Sequence, residues 1–382
     1  MQNKIKVILA TLTVITTLFS ASCDSIIEKR EEVSDSISES VSDTLTSESE
    51  EVTDTQAVET LVIPEFINPL TGLGTTEELT LKRPVAVMIN NIRDAMPQEG
   101  TSYADIIYEC IVEGAQTRLM AVYLDYESAP VIGSVRSSRE YYLDFAMNHD
   151  AVYVHAGGSD EAYRQIKASR INNLDGVNMY VPDMFYRDAE RRKTMSLEHT
   201  LMTNGEKIAN GIDYMGYRST ANSEFEQPLD FAEFGTEIVP ENGGAKYVSV
   251  SYSDEHSPYY IYNEENNMYE RFQFGKEQTD NSTGDQLAFD NIIILYCSTY
   301  NTGDAYGHYS VKVTGEGKGV YITRGGSVDI TWKKADRATP VSFYLADGSE
   351  LTVNRGRTMM QICTTSMEAS TVISDLTSES VE

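Results

Sequence analysis

Cysteine is scarce in this chain, with four among 382 residues, at positions 23, 110, 297 and 363. Setting the first aside leaves an odd three in the body, which excludes a complete disulfide framework. No two lie at Cys-x-x-Cys or similar spacing, so a structural zinc site is not expected. Cys297 and Cys363 fall in apolar segments of the same half and can pair; Cys110, inside Ile-Ile-Tyr-Glu-Cys-Ile-Val, reads as a small buried hydrophobe. There are five histidines and no His-Glu-x-x-His, no phosphate-cradling P-loop and no dinucleotide fingerprint in a strand–turn–helix context, so no metal and no cofactor is expected. Basic residues are also few. Thirty Lys and Arg stand against 59 Asp and Glu, a formal net charge of −29. A surface so acidic excludes nucleic acid as a partner, because that affinity comes mainly from neutralising phosphates. Anionic lipid headgroups are disfavoured for the same reason.

Long apolar runs are missing too. The uncharged stretch Val7–Phe19 follows Lys4 and Lys6 and precedes Ser20-Ala21-Ser22, the layout of a secretory signal, and it is too short to span a bilayer. Residues 1–22 are read as a signal peptide. Cys23 directly after the small residues resembles a bacterial lipobox, although Ser20 stands where that motif usually has Leu. The resemblance implies diacylglycerol on the Cys23 thiol, so that acyl chains hold the protein to the outer face of the cell membrane. From residue 24 to residue 60, 12 acids and 2 bases accompany many Ser and Thr. Such a segment buries too little to offset its ordering entropy, and residues 23–60 are expected to be a lipidated, disordered tether. Residues 364–382 have similar composition and are expected to be a disordered tail.

Between these ends, residues 61–215 alternate apolar β-type runs with helical patterns. Strands are predicted at Pro84–Ile89, Thr117–Tyr126 and Ala151–His155. Helices are predicted from Thr101 or Ser102 through Cys110, from Ser137 or Ser138 over Tyr142, Leu143, Phe145 and Ala146, and from Ser159 over Ala162 and Ile166. After a turn-rich connecting segment, 216–244, the character changes. Tyr247–Tyr252 alternates, Tyr259–Phe274 reads as a hairpin around Glu264–Asn267, and short β-type runs recur to Cys363. The expected fold is an α/β N-terminal domain with a mixed sheet and a smaller, mostly β domain at 245–363.

Candidate chemistry gathers in the first half. Arg136 and Arg139 are three apart at a predicted helix start, where Ser137, Ser138 and free N–H groups favour an anion. Arg118 and Asn90 sit at the ends of strand-like segments, which often meet at one sheet edge. Arginine suits carboxylates and phosphates through its planar fork. The competing reading is that each guanidinium pairs with a nearby acid such as Asp105, Glu109, Glu113 or Glu140. His155, before Gly157-Gly158-Ser159, can be a general base or a ligand donor. Ser159 can be a nucleophile beside it or simply a helix cap; its spacing does not match the nucleophile elbow. Asp175, Asp183, Asp188 and His199 are further partners without diagnostic spacing. The 24 tyrosines suit flat polar ligands and exposed sheets equally.

Several motifs together resemble the YerB-like bacterial lipoproteins: Arg83–Asn91, Pro97-Gln98, Ala104–Glu109, Glu113-Gly114, Thr117-Arg118, Gly133–Arg139, His155–Ser159, Phe185–Asp188 and Gly356–Ile362. The similarity covers residues 66–363. It implies an exported lipoprotein with an α/β first domain and a smaller β-rich second one, and it assigns no activity. The expectation formed from both readings is a binding lipoprotein of the Gram-positive-type cell surface. It would hold an anionic or polyhydroxylated ligand, such as a cell-wall fragment, through Asn90, Arg118, Arg136, Ser137, Arg139, His155 and Ser159. The alternatives are an envelope hydrolase or transferase with His155 as base, and a scaffold for another envelope protein.

Overall fold

The computed structural model describes residues 61–240 and 243–375. The signal segment, Cys23, the tether up to residue 60 and the last seven residues lie outside them.

Three strands open the body: β1 (Val85–Asn90), β2 (Ile106–Ile111) and β3 (Thr117–Tyr123). Helix α1 (Glu140–Met147), β4 (Val152–His155), helix α2 (Asp160–Ser169), β5 (Asn173–Asp175) and helix α3 (Gly205–Tyr214) follow. Strands then dominate: β6 (Tyr247–Ser249), β7 (Tyr259–Asn263), β8 (Met268–Gln273), β9 (Asn291–Asn301), β10 (Tyr309–Lys312), β11 (Gly315–Thr323), β12 (Gly326–Lys334), β13 (Ser342–Tyr344), β14 (Thr358–Thr364) and β15 (Val372–Ser374). The first half is thus α/β on a mixed sheet and the second half mostly β.

The segment from Ile106 to Cys110, expected to be helical, is strand β2. Every residue in it is buried. With both faces covered, the polar alternation that betrays a strand disappears, and two β-branched isoleucines at its start decide the conformation. Helix α1 begins at Glu140 rather than after a serine cap. Its N-cap is Arg139, with no side-chain cap bond, while the Ser138 hydroxyl accepts instead from Tyr153. Ser159 does cap α2, its Oγ accepting from the Ala162 N–H.

Ten strands form one path in the order β13-β12-β11-β9-β14-β2-β3-β1-β4-β5, and β10 pairs the distal part of β9. The two halves, expected as separate modules, therefore share a sheet. Strand β14 is the seam: it runs parallel to β9 on one side and parallel to β2 on the other, with Gln361 opposite both Ile294 and Glu109. A second, antiparallel sheet of β8, β7, β6 and β15 packs on one face. Strand β15 pairs β6 through Ile373 and Val248, so residues 364–375 are ordered and correct the expectation of a tail disordered from residue 364.

Helix α1 covers the opposite face, where Tyr108 stacks on Phe145 with ring centroids 4.9 Å apart. Cys297 and Cys363 do not pair; both are free and buried. Tyr296 lies opposite Cys363 and Cys297 opposite Thr364. The two thiols are thus one residue out of register and point to opposite faces of the sheet.

Between the two sheets lies a buried polar network. Glu109 and Arg271 are both fully buried, and Arg271 Nη2 donates to Glu109 Oε2 at 2.8 Å. Glu109 Oε1 accepts from Asn91 at 2.9 Å and Thr117 at 2.7 Å, and Oε2 also accepts from Gln361. Gln98 donates to Asn91 and accepts from Gln278. Four donors, from Arg271, Asn91, Thr117 and Gln361, thus satisfy the buried carboxylate. Asn91, Gln98, Glu109 and Thr117 belong to motifs that carry the family resemblance, and here they join the halves.

Candidate functional site

The arginine-rich stretch sits where β1 and β4 end and β3 begins. Arg118, at the start of β3, and Arg139, at the N-terminus of α1, are both buried and both bind Glu113. Arg118 Nη2 reaches Glu113 Oε1 at 2.7 Å, and Arg139 Nε reaches Oε2 at 2.9 Å. The Nη1 group of each donates to a backbone carbonyl, that of Ser137 for Arg118 and that of Ser138 for Arg139. Burial works to raise the Glu113 pKa, but the two guanidiniums overcome it and hold the carboxyl at about 2. Burial and the neighbouring Arg139 bring Arg118 down to about 10 against the pull of Glu113. Arg136, which precedes the helix rather than sharing a face of it with Arg139, pairs Glu198 at 3.0 Å. The three guanidiniums come together, and carboxylates and carbonyls engage each of them, although Arg136 Nε is buried without a hydrogen-bond partner. They brace the sheet end and are not open to an anion.

His155 and Asn90 are likewise inward. His155 is fully buried and stacks on Tyr153; its Nδ1 lies 2.8 Å from the Gly157 carbonyl and its Nε2 3.3 Å from Asn173 Oδ1. Burial lowers its pKa, with Asp175 opposing. A buried ring whose two nitrogens face the Gly157 carbonyl and Asn173 Oδ1, with no open side, is not placed as a base for an incoming substrate. Among the described residues no hydrogen bond joins it to Ser159. Asp175 accepts from the N–H groups of Gly157, Val177 and Asn178 and from Tyr163, and so organises the turn after β4. The Asn90 amide meets His199 Nδ1 at 2.9 Å, and its backbone lies opposite Arg118 across the β1–β3 pair.

Three members of the expected set, Ser137, Arg139 and Ser159, line a cleft of about 990 Å³. One wall is the N-terminal turns of α1 and α2. The other is the hairpin formed by the end of β9 and by β10, which carries Tyr300, Tyr306, His308 and Tyr309. Tyr300 is 61% and Tyr306 79% exposed, large values for aromatic side chains. Tyr306 lies 5.6 Å from the His308 ring, which Asp304 orients at 2.6 Å. At the far end Arg337 bridges Asp144 and Gln165.

The lining holds five carboxylates (Glu140, Asp144, Asp160, Glu161, Asp304) against four cations (Arg139, Arg164, Lys312, Arg337). Arg164 pairs Glu161 and Arg337 pairs Asp144. This balance gives no attraction for an anion. It does offer planar polar groups for hydroxyls beside aromatic faces. The hairpin tyrosines were missed in the sequence because tyrosine is common in exposed strands. The signal that could have found them is their spacing over the polar loop Asn301–His308, which no sheet alternation requires.

A family model described as "Protein of unknown function (DUF3048) N-terminal domain" matches residues 70–218, and its C-terminal counterpart matches residues 248–360. The Bacillus subtilis (strain 168) protein named "Putative lipoprotein YerB" is 30% identical over 295 residues, 77% of this chain and 85% of that one. This chain belongs to the YerB-like family. The crystal structure of YerB protein from Bacillus subtilis matches with a TM-score of 0.71 at 28% identity, covering 81% of this chain and all of that one. The YerB-like N-terminal match contains the Glu113 cluster and both helices of the cleft, and the C-terminal match contains its tyrosine hairpin.

Proposed function

We propose that this YerB-like protein is an exported lipoprotein, anchored through diacylglycerol on Cys23, that binds a polyhydroxylated ligand such as a cell-wall glycan fragment in the cleft between α1, α2 and the β9–β10 hairpin. The observation that carries the reading is the pair of exposed tyrosines, Tyr300 and Tyr306, facing carboxylates, a glutamine and a bridged arginine across an open hollow. Aromatic faces pack on the apolar faces of sugar rings, while Asp, Gln and Arg side chains satisfy vicinal hydroxyls. The near balance of charge favours a neutral or zwitterionic ligand over the anion. The name of the Bacillus subtilis relative supports the envelope location, as does the secretory signal and lipobox-like start.

The test is calorimetric titration of the purified protein with muramidase-released wall fragments. Binding that weakens about tenfold in Tyr306→Ala, a loss of about 1.4 kcal/mol, with an unchanged melting temperature supports the reading. Equal binding by the Tyr300→Ala/Tyr306→Ala double variant refutes it. Turnover of the fragments, abolished in His155→Ala, would instead favour the hydrolase reading. Capture of another envelope protein with no fragment bound would favour the scaffold.

A further inference from the structure

Between the loop after β1 and the hairpin after β8 lies a second hollow, of about 180 Å³, which shares no lining residue with the cleft. Its walls are mostly apolar, with Met96, Pro97 and Phe274 contributing. The buried part of its lining is a pair of glutamines, Gln273 and Gln278. The exposed part carries Arg93, Lys276 and Glu277.

Phe274 is out of place for an ordinary turn. Gln273 pairs with Lys276 across the hairpin, so Phe274-Gly275 is a two-residue loop. Both residues have positive φ, 57° and 73°. Such loops take Asn-Gly or Asp-Gly by preference, because a larger side chain crowds its own backbone in the left-handed region. The ring is also held in place. The Arg93 guanidinium carbon lies 4.7 Å from its centroid, and His256 meets it edge-on at 5.2 Å. The turn thus keeps a strained aromatic whose ring forms a wall of the hollow.

The glutamines add an unspent donor. Gln278 accepts from Arg271 Nε and donates to Gln98 at 2.8 Å, so both ends of its amide are engaged. Gln273 Oε1 accepts from Arg271 Nη2 at 2.9 Å, which fixes the oxygen end of that amide. Gln273 Nε2 is left, buried and without a hydrogen-bond partner among the described residues. A buried donor with no acceptor is costly, and native structures rarely keep one.

We propose that this hollow binds the carboxylate of a small acid with an aliphatic body, either free or as the last residue of a peptide. The carboxylate accepts from Gln273 Nε2 and is neutralised by Arg93 and Lys276, while the aliphatic body packs on Phe274, Met96 and Pro97. Charge favours this class: Glu277 is the one acid in the lining against two cations, on a protein of net charge −29. Arg93 is available, since its pair with Glu255 is 3.4 Å long and both side chains are more than half exposed. Among the described residues no carboxylate pairs with Lys276. The volume is smaller than that of a drug-sized pocket and suits one amino-acid residue. The competing description is a hydrated crevice, in which water meets Gln273 Nε2. It accounts for the amide and leaves the phenylalanine at φ 57° unexplained.

Amide shifts of the full-length protein, recorded while N-acetyl-leucine, N-acetyl-leucinamide and hexanoate are added in turn, test the site. N-acetyl-leucine should saturate with changes centred on Arg93–Met96 and Gln273–Thr279, and the uncharged amide should bind at least about tenfold more weakly. Hexanoate as tight as N-acetyl-leucine identifies a free acid as the ligand class; hexanoate at least about tenfold weaker identifies a peptide terminus. Phe274→Asn supplies a residue the turn prefers, so it should lose binding about tenfold in protein that still unfolds cooperatively. Lys276→Gln should weaken the acid and leave the amide unchanged. Equal binding of acid and amide, undiminished binding in Phe274→Asn, or no saturation by any of the three at about 10 mM would overturn the proposal. None of these outcomes bears on glycan binding in the cleft.

Discussion

Substituting Glu109→Gln probes the joint between the halves most sharply. The wild-type carboxylate is fully buried, meets Arg271 at 2.8 Å and accepts from Asn91, Thr117 and Gln361 as well. The glutamine is nearly the same size, so no cavity forms. It lacks the charge, and its NH2 group replaces one acceptor with a donor that faces other donors. Arg271, also fully buried, keeps hydrogen bonds to Tyr260, Gln273 and Gln278 but loses its only ion-pair partner among the described residues. Breaking one side of such a pair costs about 3–5 kcal/mol, a large share of the stability of a domain. Urea unfolding of the two variants Glu109→Gln and Arg271→Met and of the double variant gives the measurement. The double variant should recover part of the loss, because no uncompensated charge remains, with a coupling of at least about 1 kcal/mol. A single-variant cost below about 1 kcal/mol, or strictly additive losses, would refute the view that this pair holds the two sheets in place.

Glu113 gives an acid-side prediction. Its folded pKa, about 2, is below the unfolded value, so its stabilisation is complete above about pH 4.5 and is lost as pH falls toward 2. The difference in melting temperature between wild type and Glu113→Gln should therefore shrink across that window; a constant difference contradicts the assignment. Asp105 acts in the opposite sense: burial raises its pKa to about 6, against hydrogen bonds from the Leu124 N–H and Asn68. Its contribution to stability falls as pH rises from about 4 to 6 and should appear as proton uptake on folding measured by titration at pH 5. The thiols of Cys110, Cys297 and Cys363 should stay silent to a thiol reagent until the protein unfolds and then all react; burial pushes Cys297 up to about 12. Reaction within seconds in the native state, or fewer free thiols after unfolding, would contradict the packing.

What could be read from the residues alone follows a physical line. Strands with one wet face, such as β7 and β8 around Glu264–Asn267, announced themselves by alternation and a turn. Strand β2 did not, because a strand buried on both sides looks like any apolar run. The seam was hidden for another reason: β14 pairs β2 across some 250 residues of chain, and no local pattern encodes such a partner. The cation cluster was legible as a cluster. Its role was not, because Glu113 can be assigned to Arg118 and Arg139 only once the turn before β3 is folded against α1. The cleft needed both halves, and its hairpin tyrosines drew no notice among 24.

The central claim is that the hollow between α1, α2 and the β9–β10 hairpin receives the ligand. Backbone amide shifts recorded while muramidase-released wall fragments are added test it directly. The account predicts saturable changes confined to the neighbourhood of Ser137–Tyr141, Gly158–Gln165 and Tyr300–Thr314. Changes centred instead on Asn90 and His199, or none at millimolar fragment, would contradict it.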